Sequence, residues 1–218
     1  MALMYTPPDA FGLVERGLYR TGPIHPTNFP FLRSLNLRTV LLLSTDTGSK
    51  SLQAFCDETG AVTLPLGVQT WRPNIGWRPV SEELVKEGLE AILNVNNHPM
   101  MVICATGLHD TGTLIGCLRK MQGWNFNSTI VEYRSYTGGQ GRYINEQFIE
   151  LFDTDLVTLP RSLPQWFLLQ QKILEEEQDR SETPPSSAES HRPSESSSSA
   201  RSLVVDTPQI LSNTLAQR

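Results

Sequence analysis

Pro99-Met100-Met101-Val102-Ile103-Cys104-Ala105-Thr106-Gly107-Leu108-His109-Asp110-Thr111-Gly112 decides how this chain is read. Its first five residues are apolar, with the length of a strand that is buried on both faces of a sheet. They deliver Cys104. Beyond Gly112, residues Thr113 to Gln122 have the pattern of a helix. Gly107 and Gly112 give the intervening backbone the freedom to turn its amides inward. The stretch therefore reads as strand, loop and helix, with a thiol where the strand feeds the helix N-terminus.

Working outward, the same alternation recurs. Gly12-Leu13-Val14 and Gly17-Leu18-Tyr19-Arg20 predict a hairpin around Glu15-Arg16. Arg38 to Leu43 is a near-continuous apolar run, and Ala61 to Leu66 is a further strand candidate. Thr27 or Asn28 is placed to cap a helix through Leu35. Ser81 caps another, with Glu82 and Glu83 favourably placed in its first turn. In that helix Leu84, Val85, Leu89, Ile92 and Leu93 share a face. Asn127 or Ser128 caps a helix that Gly138-Gly139 ends. Tyr143–Phe152 and Ser162–Leu174 are the last helices. Strands come first and helices dominate later, which predicts an α/β domain with a mostly parallel central sheet flanked by helices.

The chain has 218 residues, enough for one domain, predicted over 1–174, and a tail. Residues 175–218 hold eight acids and four Arg, and so most of the net charge of −5. Their Ser/Pro/Glu-rich composition buries too little apolar surface to offset ordering entropy, so a disordered tail is expected. A plain solvated tail is favoured over one that is phosphorylated. No basic stripe is available for a nucleic acid. No signal peptide and no membrane-length apolar run is seen. Three cysteines, Cys56, Cys104 and Cys117, make no disulfide framework or zinc spacing. A cytoplasmic protein without metal or cofactor is expected.

Chemically, Cys104, the five residues 105–109, position 110, then Thr111 and Gly112 follow the frame of a cysteine-phosphatase loop, Cys-x5-Arg-Ser/Thr-Gly. The arginine position holds Asp110. Such an enzyme needs a thiolate, a nest of backbone amides, a guanidinium to clamp the phosphate, and a general acid. The first two are present in outline. Asp110 removes the third and reverses its charge. Ala105, Thr106 and Leu108 add no cation, which leaves His109 as the one side chain of the loop able to be positive. Pro65 to Val80, where an acid is expected, contains no Asp, Glu or His. Losing a single transition-state donor costs about 10²–10³ in rate.

Plainer readings stand beside this one. A Cys after an apolar strand is usually a small core residue. Asp110 before Thr111-Gly112-Thr113 reads structurally as a helix N-cap. A nucleotide-binding loop fits poorly, because Thr113 and Leu114 stand where Lys and Ser/Thr belong. Trp71-Arg72-Pro73 and Trp77-Arg78-Pro79 form a doubled motif, read equally as a partner-binding loop or a packed cover. His98 reads as a turn residue, and Arg119 and Arg142 as structural.

The order of several segments resembles the plant-and-fungal atypical dual-specificity phosphatases, the family of the inositol pyrophosphate phosphatases and the fungal oxidant-induced cell-cycle arrest proteins. The resemblance is carried by Pro7-Pro8, Phe11, Gly17-Leu18-Tyr19-Arg20, Gly22-Pro23, Asn28-Phe29-Pro30-Phe31-Leu32 and Leu37-Arg38-Thr39-Val40. It continues through Asn97-His98-Pro99, the loop, Ile115 to Lys120, Trp124, Glu132-Tyr133, Arg142 and Gln147 to Glu150. It covers about residues 7 to 152. The family loop reads His-Cys-Lys-Arg-Gly-Lys-His-Arg-Thr-Gly. Cys104, Gly107, His109, Thr111 and Gly112 match it; Ile103, Ala105, Thr106, Leu108 and Asp110 depart. The resemblance implies a cysteine-phosphatase fold, Cys104 at the nucleophile position, Asp110 in place of the catalytic arginine, and Ala105, Thr106, Gly107, Leu108, His109, Thr111 and Gly112 as the phosphate-binding loop. It also implies, from the association of fungal paralogues, a hetero-oligomer with related phosphatase-like proteins. The lost basic residues imply a catalytically impaired, regulatory or scaffold subunit. A weak phosphatase for inositol pyrophosphates, phosphoinositides or phosphotyrosine, and a redox sensor built on Cys104, are the alternatives.

Overall fold

The computed structural model describes residues 5–43, 49–66 and 80–182. All of them lie in the compact unit Met1–Glu182. The expected hairpin is present: β1 (Gly12–Glu15) and β2 (Leu18–Thr21) pair antiparallel. Gly17, at φ 80°, takes the left-handed conformation at the turn. Strands β3 (Thr39–Leu42), β4 (Val62–Pro65) and β5 (Met100–Ile103) complete a sheet in the order β1-β2-β5-β3-β4. All pairs except β1–β2 are parallel. The mostly parallel α/β architecture is therefore the one the sequence predicts, and β5 is its middle strand.

Strand alternation divides the core into two. Val40, Leu42, Met101 and Ile103 face one side, where they meet Leu32 of α1 (Phe29–Arg33) and Leu52 and Phe55 of α2 (Lys50–Thr59). Leu18, Leu41, Met100 and Val102 face the other. That side is covered by α3 (Glu82–Leu93), α4 (His109–Met121), α5 (Phe126–Thr137), α6 (Tyr143–Leu151) and α7 (Gln165–Glu182), through Leu89, Leu114, Ile130, Ile149 and Phe167. Each such side chain contributes about 1.5–3 kcal/mol over its exposed state.

Ser81 caps α3 as expected, its Oγ accepting the Leu84 N–H at 3.2 Å. Asn28 stands at the α1 N-cap position, but its side chain accepts from His25 N and donates to Thr6 O. Three boundaries are corrected. Helix α5 is capped by Asn125, not Asn127 or Ser128: Asn125 Oδ1 accepts the Ser128 N–H at 2.9 Å, the ordinary cap-to-N3 reach. Helix α7 runs past Leu174 to Glu182, because residues 175–178 are Glu and Gln, good helix formers. Lys172 pairs with Glu176 one turn on. Helix α4 starts at His109 rather than near Thr113, so Asp110 is not its N-cap. Leu108 holds that position, and Asp110 sits inside the first turn. The tail beyond Glu182 and the Trp-Arg-Pro loop lie outside the described residues.

Candidate functional site

Parallel sheets place ligands beyond the C-terminal ends of their strands, and β5 ends in the middle of this one. Arg20 and Thr21 of β2 lie in register with Val102 and Ile103. On the other flank Leu43 N donates to Ile103 O at 2.9 Å. Cys104 thus leaves the sheet wedged between two neighbours and is buried, with 3% of its surface exposed.

The loop then turns back on itself. Gly107 N–H donates to Cys104 Sγ at 3.1 Å. Gly107 has φ 72°, and a Cβ there would lie 2.4 Å from Gly22 N, so only glycine lets the loop rest on the end of β2. Leu108 N–H donates to Thr106 Oγ1 at 3.3 Å. Ala105 and Thr106 are exposed and Leu108 half-buried.

His109, the one candidate cation of the loop, is buried. Its Nδ1 lies 3.2 Å from the Tyr133 hydroxyl. That hydroxyl already accepts from Arg142 N–H at 3.3 Å and from Asn145 Nδ2 at 3.1 Å. Both lone pairs being used, its single proton goes to Nδ1, and the imidazole is neutral with its proton on Nε2. Burial pushes the His109 pKa down, and Arg142 adds to this. The loop therefore carries no side-chain cation of its own. Asp110 is half-buried. Burial pushes its carboxyl up from the ordinary range, and Arg142 draws it partly back. Thr111 is fully buried, and its Oγ1 has no hydrogen-bond partner among the described residues. Gly112 packs against the Tyr133 ring, which a Cβ would meet at 2.8 Å.

Beneath the loop lies a residue that the chemical reading passed over. Arg20 is fully buried on β2. Its Nη2 donates to Gly107 O at 3.0 Å, and the guanidinium carbon stands 3.6 Å from the centre of the Tyr136 ring. Nε and Nη1 have no hydrogen-bond partner among the described residues. Burial pulls the guanidinium below its ordinary value; Tyr136, Glu132 and Cys104 draw it back up. Strand alternation is the signal that would have exposed it: Arg20 shares a face with Leu18, which is wholly in the core. Nothing in the spacing of Tyr133 or Asn145 announced their part in holding His109.

The remaining expectations sort simply. Arg119 is structural: it binds Glu132 through Nε and Nη2, and Glu15 at 2.7 Å. His98 bonds Ile92 O at 2.7 Å. Arg142 acts electrostatically on both His109 and Asp110. Cys117 is fully buried in α4, its thiol pushed up by desolvation, which suits it poorly as a redox partner for Cys104. Most of the segment searched for a general acid lies outside the described residues. Outside that segment, the backbone carbonyl of Asp9 accepts the Gly22 N–H at 2.8 Å, and Gly22 abuts Thr106.

A strand-ending cysteine under an amide-lined turn at a helix N-terminus is the arrangement of cysteine-dependent phosphatases, and residues 5–171 match the model of the tyrosine phosphatase family. The chain belongs to the tyrosine phosphatase family. It is 44% identical over 165 residues to a probable tyrosine-protein phosphatase, DG1060, of Dictyostelium discoideum, spanning 76% of this chain and 98% of that protein. It is 41% identical over 155 residues to the putative tyrosine-protein phosphatase OCA1 of Mycosarcoma maydis, spanning 71% of this chain and 97% of the relative. Among solved structures, the core catalytic domain of the PP-IP phosphatase SIW14 from S. cerevisiae superposes with a TM-score of 0.63 at 28% identity. That match covers 80% of this chain and 96% of the domain. The chain thus has the fold of this family, with Cys104 directly after β5 and Asp110 in the first turn of α4. No described helix is long and apolar enough to cross a membrane.

Proposed function

We propose that this chain is a catalytically impaired member of its family, acting in the cytoplasm as a regulatory or scaffold subunit alongside related phosphatases. The observation that carries this reading is the charge of the loop. Asp110 places a carboxylate in the first turn of α4 where the family frame has a guanidinium, and His109 is held neutral by Tyr133. Phosphoryl transfer spreads negative charge over the equatorial oxygens, and catalysis rests on stabilising it. Here the α4 N-terminus and loop amides remain, opposed by Asp110. The association of fungal paralogues that the family resemblance implies supports the subunit role.

A weak cysteine-dependent phosphatase acting on inositol pyrophosphates or phosphotyrosine is the second reading. It is favoured by Cys104, whose Sγ already accepts a loop amide, and by the likeness to the SIW14 catalytic domain.

Phosphate release from p-nitrophenyl phosphate and from an inositol pyrophosphate decides between them, using wild type, Cys104→Ser and Asp110→Arg. The first reading expects wild type to match Cys104→Ser. Turnover in wild type that Cys104→Ser abolishes would overturn it. Gain of activity in Asp110→Arg would show the rest of the site intact. Co-expression with a family member that keeps the loop arginine, followed by light scattering, tests the subunit role. A mass equal to the 24.4 kDa monomer alone counts against it.

A further inference from the structure

The loop lacks a cation of its own, yet a buried cation lies directly under it. We propose that Arg20 is the positioning residue of this loop and supplies its positive charge from below, so that the loop binds a phosphate-type oxyanion stoichiometrically in place of turning it over. The inference rests on the impaired reading given above and extends it to what the site still does.

Three observations carry it. First, Arg20 is a fully buried guanidinium with two nitrogens, Nε and Nη1, that no group among the described residues satisfies. An ionised donor left unpaired in a core is costly, so these nitrogens call for a partner that the described residues do not supply, such as a water or an ion. Second, Thr111 Oγ1, in the α4 first turn, is a further buried hydroxyl without a partner among the described residues. Unsatisfied donors thus lie in the packing beneath the loop and at the helix end behind it. Third, the Arg20 bond fixes the direction of a loop peptide. In a trans peptide the C=O and the following N–H point opposite ways. Arg20 Nη2 holds Gly107 O downward, so the Leu108 N–H is turned away from the core. It points to the hydroxyl of exposed Thr106 at 3.3 Å, a long bond that an incoming anion would replace. The neighbouring Gly107 N–H meets Cys104 Sγ. Arg20 is thereby what keeps one amide of the nest facing outward, and its charge acts through the same peptide. Asp110 opposes the anion, and Arg142 draws on Asp110.

A phosphate dianion presented free or as a monoester fits this chemistry, and the two sources are separated by using inorganic phosphate and phenyl phosphate as probes. The full chain is titrated calorimetrically with each at low salt, as wild type, Arg20→Lys and Arg20→Met. Leu52→Ala serves as a control of comparable destabilisation, because Leu52 lies in the core on the opposite face of the sheet. Wild type is expected to bind at least one probe. Arg20→Met weakens Kd at least tenfold, Arg20→Lys recovers part of the loss, and Leu52→Ala leaves Kd unchanged. An unchanged Kd in folded Arg20→Met, or no binding of either probe by wild type, overturns the proposal. Should Arg20→Met not fold, nitrogen-15 NMR of wild type decides: phosphate must shift the Leu108 amide and the Arg20 Nε signals, and immobility of both under saturation overturns it. The same samples are assayed for phosphate release from phenyl phosphate. Cys104-dependent turnover sinks the impaired reading and the stoichiometric part of this inference. An Arg20-dependent Kd measured with Cys104→Ser still upholds the positioning role. Silence without binding sinks this inference alone.

Discussion

A carboxylate in the first turn of α4 is favoured by the helix dipole and by Arg142 and disfavoured by burial, and for Asp110 burial is the larger influence. Its folded pKa lies above the unfolded one, so the folded state holds the proton more tightly and stability falls as pH rises through that window. Asp110→Asn keeps the shape and removes the charge. At pH 7 it is expected to stabilise the protein by up to about 1 kcal/mol, and the gain should vanish on acidification towards pH 4. Urea melts at the two pH values measure this; an equal gain at both would show that charge is not the cause. His109 has the opposite linkage. Its folded pKa is depressed, so the stability it contributes is complete above about pH 6.5 and is lost as pH falls below that value. Protonation would add a donor to a Tyr133 hydroxyl with no lone pair to spare. Tyr133→Phe leaves the Asn145 and Arg142 donors unmatched and is expected to cost about 2 kcal/mol by chemical denaturation. A loss below about 0.5 kcal/mol would mean that water replaces the hydroxyl at no cost.

At the scale of elements, the loop stands or falls on its contact with β2. Gly107→Ala meets two obstacles: a left-handed φ that costs an L-residue about 1–2 kcal/mol, and backbone atoms of Gly22 at 2.4 and 2.5 Å that cannot rotate away. The loop must lift from the strand. Overall stability is expected to drop by about 2 kcal/mol or more, with amide exchange of Gly107 and Leu108 speeding up ahead of the core. Uniform exchange across the sheet would place the strain elsewhere. How far such elements were legible in the sequence follows from what each depends on. β3 and β5 were read from near-continuous apolar runs, and α3 from Ser81 and its acidic first turn, since local chemistry fixes all three. The α4 start was misplaced because Asp110 has the residue type of a cap. The helix begins at His109 by virtue of the turn at Gly107, a conformation that no residue type at 110 reports. The α7 end was set too early because acidic composition was read as tail, although Glu and Gln extend a helix well. In the site, the place of Cys104 at the end of β5 was plain. The neutrality of His109 was not, because it depends on Tyr133 and Asn145, two helices away.

For the whole molecule, the question is what binds the β1–β2 hairpin, which carries Arg20, to the helical layer. Arg119 of α4 is the tie. It is buried, grips Glu132 of α5 through two nitrogens, binds Glu15 of β1 at 2.7 Å and donates to Val14 O at 3.0 Å. Gln122 closes the ring, accepting from Arg119 and donating to Glu15 at 2.9 Å. The Trp124 ring lies 4.4 Å from the guanidinium. Two opposing expectations apply. Exposed ion pairs contribute about 0–1 kcal/mol, whereas removing one partner of a buried pair costs about 3–5 kcal/mol. Arg119 is 5% exposed at its side chain, against 23% for Glu15 and 20% for Glu132, so the cation is buried and its acids only partly so. The intermediate case predicts a loss of about 3 kcal/mol for Arg119→Met, since both acids keep some water when abandoned. Because the hairpin is held through Glu15 and Val14, Arg20 should loosen with it, and oxyanion binding should weaken in Arg119→Met although the hydrogen bonds of Arg119 go to Glu15, Val14, Gln122 and Glu132 and not to the loop. Urea unfolding and phosphate titration of the one variant measure both. A loss under about 1 kcal/mol would place this network with the surface pairs. Full stability loss with an unchanged Kd would show that Arg20 keeps its place through β5 and the Gly107 carbonyl alone.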